Sequence, residues 1–88
     1  MDGRLEQKIN EKIQDTLANI NQIQQLAKTL DEKRGDSLNF QYGIIVGRLY
    51  NSFYYQSRRI LKRDPTEQEF SEFLGILSKR RDEILRRL

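Results

Sequence analysis

Cysteine and histidine, two residue types that carry much of protein chemistry, do not occur in this chain of 88 residues. Without cysteine there is no disulfide and no thiolate nucleophile. Without histidine there is no imidazole base and no supply of the commonest transition-metal ligand. Tryptophan is also missing, and proline occurs once. Any catalysis would therefore have to rest on carboxylates, lysines or tyrosines.

The residues that remain do not form a recognisable catalytic pattern. The carboxylates stand at expected helix ends or beside basic residues, which is typical of caps and ion pairs. No phosphate-binding loop with its lysine, no calcium loop and no glycine-rich nucleotide fingerprint occurs. Tyr50, Tyr54 and Tyr55 have no suitable base near them in sequence. We therefore expect a non-enzymatic protein without a cofactor or a bound metal.

Long hydrophobic runs are missing as well. No apolar run approaches the roughly 18–20 residues needed to cross a bilayer, and residues 1–6 lack the core of a signal peptide. We therefore expect a cytoplasmic protein that does not bind membranes. A chain of 88 residues forms one domain that buries only about 60–65% of its unfolded surface, so oligomerisation is expected to support its stability.

The hydrophobic pattern predicts an all-α fold with three helices, near residues 3–34, 37–63 and 65–87, in a single domain spanning 1–88. Apolar residues recur at alternating steps of four and three in the first segment, and Gly35 is predicted to end that helix as a left-handed cap. Short loops require an antiparallel, up-down-up bundle. The first helix, roughly 45 Å long, would outreach the third. Its overhanging start, with Leu5, Ile9 and Ile13, would need cover from a second chain.

The third segment begins with strong boundary signals, Asp64-Pro65-Thr66, and continues with Leu74-Gly75-Ile76. Over about a dozen positions it resembles the start of the helix-turn-helix in domain three of bacterial sigma factors. Leu77 departs from that pattern, because it separates Ile76 from Ser78 where the family turns directly. The apolar face continues from Phe70 to Leu88, which favours a single long helix.

The second helix is apolar around most of its girth, which is typical of a helix with neighbours on several sides. Gly43 and Gly47 lie one turn apart on this helix. They indicate either that another backbone approaches closely or that they leave space for a bulky neighbour in the same chain. We therefore predict a small assembly module, a homodimer or a binder of another helical protein. A homodimer would pair either the first-helix stripes or the glycine-tyrosine faces. The predicted protein interface consists of Phe40, Gly43, Ile44, Gly47, Tyr50, Tyr54 and Tyr55.

Nucleic-acid binding is the alternative function. The net charge is +3, and it divides unevenly, with −1 over residues 1–44 (6 basic, 7 acidic) and +4 over residues 45–88 (10 basic, 6 acidic). Arginine binds phosphate well, and nearby tyrosines can stack on bases. Against this, antiparallel packing would split the cations between two ends. The candidate nucleic-acid contacts are Arg48, Arg58, Arg59, Lys62, Arg63, Lys79, Arg80 and Arg81.

Overall fold

A computed structural model describes all 88 residues and contains helices but no strands. The helices are α1 (Gly3–Ala18), α2 (Ile20–Leu30), α3 (Leu38–Leu61) and α4 (Glu67–Arg87). The all-α prediction is confirmed, but the three predicted helices are four. The second and third predicted helices correspond to α3 and α4, each shorter than expected by a few residues. None of the four is both long enough and apolar enough to cross a lipid bilayer.

The first predicted helix is interrupted at Asn19. This residue has φ −112° and ψ 30°, outside regular helical geometry. Its side-chain Nδ2 donates to the carbonyl of Asp15 at 2.8 Å, and its backbone N–H is shared between the carbonyls of Asp15 and Thr16. An asparagine side chain can replace the local backbone partner in this way. The prediction of one helix over 3–34 is therefore wrong. The sequence favours one helix there because the apolar spacing continues unchanged across the single interrupted residue.

Gly35 has a different role from the one predicted. The preceding helix ends at Leu30, and no glycine in the chain has a positive φ. Gly35 is buried, and a Cβ atom added to it would lie 2.5 Å from the Cα of Lys28 and 2.8 Å from its nitrogen. Glycine is needed here for close backbone approach rather than as a left-handed cap. The left-handed residue is Lys62, directly after α3, with φ 61°.

The starts of α3 and α4 are both capped by side chains. The Ser37 hydroxyl accepts from the backbone N–H of Phe40 at 3.4 Å. At α4, Thr66 and Glu69 form a reciprocal capping box, in which each side chain accepts from the other residue's backbone N–H. From there α4 runs without a break to Arg87. The turn of a helix-turn-helix is not formed, and the single long helix is confirmed.

The helices pack in the up-down-up order, with α1 and α2 together forming the first leg. Asn10 of α1 contacts Arg80 of α4 at 3.3 Å, and Arg87 reaches the carbonyl of Leu17 at 3.1 Å. Residue numbers increase along both helices from the first pair to the second, so α1 and α4 are parallel. Helix α3 runs in the opposite direction and packs against the other three helices. The core consists of Leu5, Ile9, Ile13, Leu17, Ile23, Ile45, Leu49, Phe53, Phe73, Leu77 and Ile84.

The expected overhang at the start of α1 does not occur. Leu5, Ile9 and Ile13 are at most 3% exposed within one chain. Because α4 begins where α3 ends, it lies beside the start of α1 and covers it. The exposed end is the opposite one, where α2 meets the start of α3 and Leu30 and Leu38 remain 63% and 51% exposed. The first-helix stripe therefore gives no reason for dimerisation.

Candidate interaction surfaces

Gly43 and Gly47 occupy an open part of α3. Both residues are exposed, and a Cβ atom added at either would meet no other atom within 4 Å beyond its own helix turn. The hypothesis that they make room for a bulky neighbour in the same chain is therefore wrong. At 100° per residue, Gly43 and Gly47 fall on one side of α3 with Phe40, bordered by Tyr50 and Tyr54. We call these five residues the glycine face.

The two tyrosines at its border are partly occupied by α4. The rings of Tyr50 and Tyr54 stack with centroids 5.3 Å apart, and Tyr50 meets Phe70 edge-on at 5.9 Å and Phe73 at 6.4 Å. Tyr50 nevertheless stays 43% exposed. The two rings thus form one wall beside the glycines, fixed by α4, rather than a flexible cover over them.

The other two predicted interface residues lie outside the glycine face. Ile44 is half-buried and packs against the core of its own chain. Tyr55 is 61% exposed, and at 100° per residue it points about 80° away from Gly47 and about 100° away from Tyr54. The structure therefore divides the predicted interface into the glycine face and a separate exposed tyrosine.

Two of the predicted nucleic-acid contacts at the end of α3 are engaged by nearby carboxylates. Arg58 donates to Asp64 at 2.6 Å, and its guanidinium lies 5.4 Å from the centre of the Tyr54 ring. Arg63 makes a bidentate pair with Glu69 at 2.7 and 3.2 Å. Both arginines stabilise the connection between α3 and α4, which reduces what they offer to a phosphate.

Two further predicted contacts on α4 are also paired. Arg80 binds Glu83 at 2.8 Å, and its side chain is only 17% exposed. Arg81 lies 3.4 Å from Asp82. Four of the eight candidates have no carboxylate within 4.0 Å, namely Arg48, Arg59, Lys62 and Lys79.

Arg59 and Lys62 line a groove with two cations that the sequence analysis missed. The groove, about 450 Å³ in volume, lies between the end of α3 and the start of α1, which contributes Arg4 and Lys8. Its only acidic residue is Glu11, which Lys8 binds at 3.2 Å and whose pKa this contact lowers. Arg4 also lies 3.4 Å from Asp2, which is not part of the lining. Four cations against these two carboxylates still leave a net positive charge at the groove. We call it the basic groove.

A second groove, between α1 and α4, has a different character. It measures about 620 Å³, no hydrophobic residue lines it, and its charged residues are Glu11, Asp15, Glu83 and the paired Arg80. Three carboxylates against one arginine give this groove a net negative charge. No group of three acidic side chains in the chain is placed to hold a metal ion. The glycine face is thus uncharged, the basic groove is positive and the groove between α1 and α4 is negative.

Taken together, fold and surfaces define a small all-helical protein with one neutral, one basic and one acidic exposed surface. No family model matches the chain, and no curated protein or solved structure matches it at a significant level.

Proposed function

We propose that the protein is a non-enzymatic helical assembly module that self-associates through the glycine face of α3. The observation that carries this proposal is the open space at Gly43 and Gly47. Each glycine in the interior of an exposed helix costs about 1 kcal/mol relative to alanine. No atom of the same chain occupies the space beside these glycines. A second helix can approach a surface of glycines more closely than a surface that carries side chains.

A second copy of the chain is the occupant that the charges favour. From Phe40 to Tyr54 the glycine face carries no charge, and Arg58 is the first charged residue along it. In a twofold dimer the same surface meets itself, so a neutral centre avoids repulsion between like charges. The rings of Tyr50 and Tyr54 add aromatic area beside the contact between the two glycine faces. Aromatic side chains are among those that stabilise interfaces most.

The experiment that tests this is a substitution of Gly47 with a matched control on α4. Gly75 is also exposed, helical and free of atoms within 4 Å of an added Cβ. Light scattering on a size-exclusion column should give the wild type and Gly75→Leu twice the monomer mass of 10.5 kDa. Gly47→Leu should be monomeric, because the leucine side chain fills the space between the two glycine faces. Circular dichroism should show equal helix content in all three proteins.

Two outcomes would contradict the proposal. A wild type that stays monomeric at high protein concentration would exclude self-association. A Gly47→Leu protein that dimerises as strongly as Gly75→Leu would place the dimer contact on another surface, and the glycine face would have no role in it.

A further inference from the structure

One side of α3 combines positive charge, an exposed aromatic ring and a complete lack of carboxylates. No acidic residue occurs between Asp36 and Asp64, so α3 itself has none. Arg48, Tyr55 and Arg59 are spaced by seven and four residues, which places them on one stripe of the helix within about 40° of each other. Neither arginine has a carboxylate within 4.0 Å.

This stripe leads directly into the basic groove. Arg59 belongs to both, and beyond it Lys62, Arg4 and Lys8 continue the line of cations. From Arg48 to Arg59 the helix rises roughly 17 Å. A linear polyanion lying along α3 would therefore meet separate cations in succession rather than a single point charge. Its far end would enter the groove between α3 and α1.

Tyr55 distinguishes among the polyanions that fit. Its side chain is 61% exposed, lies between two unpaired arginines and takes part in none of the aromatic contacts within the protein. Aromatic side chains beside a basic track are used to stack the bases of single-stranded nucleic acid. A duplex keeps its bases stacked inside, and an acidic peptide gains nothing specific from the ring.

We propose that the stripe of Arg48, Tyr55 and Arg59, together with the basic groove, binds single-stranded nucleic acid. The cations bind successive phosphates, and Tyr55 stacks on a base between them. This surface lies on a different side of α3 from the glycine face. The proposal therefore goes beyond self-association and does not depend on it.

The test is fluorescence anisotropy with a labelled oligothymidine of 12 nucleotides, titrated with the intact protein at several salt concentrations. Arg59→Ala with Lys62→Ala should weaken binding about tenfold or more at low salt, and should reduce the slope of log affinity against log salt by about 1.4. The matched control, Lys33→Ala with Arg34→Ala, removes two cations from the connection between α2 and α3, at the other end of the molecule from the basic groove. It should change affinity less than about twofold.

A second pair of variants tests stacking. Tyr55→Ala should weaken binding about fivefold or more, whereas Tyr55→Phe keeps the ring and should bind like the wild type. All these side chains are exposed, so circular dichroism should show unchanged folding. Gly47→Leu should bind the oligonucleotide with wild-type site affinity, which separates this surface from the dimer contact.

Several results would overturn the proposal. Binding that is undetectable at 25 mM salt would do so, and so would equal losses in the two double variants, because the effect would then be general charge. A polyglutamate peptide that competes as well as oligothymidine, with Tyr55→Ala unimpaired, would assign the surface to an acidic protein instead.

Discussion

At the scale of single residues, Glu69 is the carboxylate that the fold uses most. Its Oε1 accepts from the backbone N–H of Thr66 at 2.9 Å and from the Thr66 hydroxyl at 3.2 Å, while Arg63 binds both of its oxygens. Glu69 is only 8% exposed. Its hydrogen bond with Arg63, followed by that with the Thr66 N–H, lowers its pKa from 4.5 to about 2. One side chain thus joins the end of α3 to the start of α4.

This predicts a specific loss of stability in acid. Because the pKa of Glu69 is lower in the folded state, the unfolded state binds the proton more readily. The stabilisation is complete above the unfolded-state pKa of 4.5 and is lost as the pH falls toward about 2. Urea denaturation at a series of pH values should show this decline in the free energy of unfolding, and Glu69→Gln should make the decline shallower.

Glu67→Gln is the matched control for that measurement. Glu67 lies in the same first turn of α4, is exposed and has no ion-pair partner. It should keep the wild-type decline between pH 4.5 and 2. If Glu69→Gln showed the same pH dependence as Glu67→Gln, the contact between Arg63 and Glu69 would not stabilise the fold.

At the scale of elements, α2 is the least embedded helix. It fully buries only Ile23 and Ala27, whereas α1 buries five residues. No hydrogen bond or ion pair joins α2 to α4, and Leu26 and Leu30 remain largely exposed. Asn19 also separates it from α1, so α2 does not gain the cooperativity of a continuous helix.

We therefore expect α2 to open before the rest of the protein. Helices with few buried contacts exchange their amide hydrogens through local opening, well below the free energy of global unfolding. Hydrogen–deuterium exchange followed by mass spectrometry should show faster exchange in a peptide covering residues 20–30 than in one covering 5–17. Equal protection in the two peptides would mean that α1 and α2 open as one unit, contrary to this prediction.

The sequence predicted best what depends on neighbouring residues. The starts of α3 and α4 were within two residues of their observed positions, because Ser37 and the Thr66–Glu69 pair act within one turn. The interruption at Asn19 was missed because the apolar spacing is the same on both sides of it. Gly35 was misread because its role depends on the backbone of Lys28, which only the folded turn brings close.

The candidate surfaces divide in the same way. Gly43 and Gly47 could be singled out as unusual residues in a helix, but only the packing of the other helices shows that their surroundings are open. Arg4 and Lys8 carried no signal, since they belong to the half of the chain with net charge −1. Their part in the basic groove follows from the antiparallel packing of α1 against the end of α3.

At the scale of the whole molecule, α3 organises both proposed surfaces. Its buried side is enclosed by α1, α2 and α4, within overall dimensions of 40 × 22 × 21 Å. The glycine face and the stripe of Arg48, Tyr55 and Arg59 lie on its remaining sides, with their centres about 120° apart around the helix axis. A dimer joined at the glycine faces therefore leaves two stripes exposed, and the two proposed activities are compatible in one assembly.

Stability and assembly should consequently respond in opposite directions to the same substitution. Gly43→Ala with Gly47→Ala should stabilise the monomer by about 1–2 kcal/mol in total, since neither Cβ meets another atom. In a domain of this size, each kcal/mol raises Tm by about 4–8 °C. The wild-type Tm should rise with protein concentration, because assembly stabilises the folded state by mass action.

Thermal unfolding across a hundredfold range of protein concentration should separate these effects. The double alanine variant should have the higher Tm at the lowest concentration and a shallower rise, because its methyl groups hold a second helix away. Gly75→Ala should raise Tm only by the amount expected from stabilising the monomer. Its Tm should depend on protein concentration as the wild-type Tm does. Three parallel curves would show that the glycines of α3 lower stability without any gain in association, and the case for assembly through the glycine face would fail.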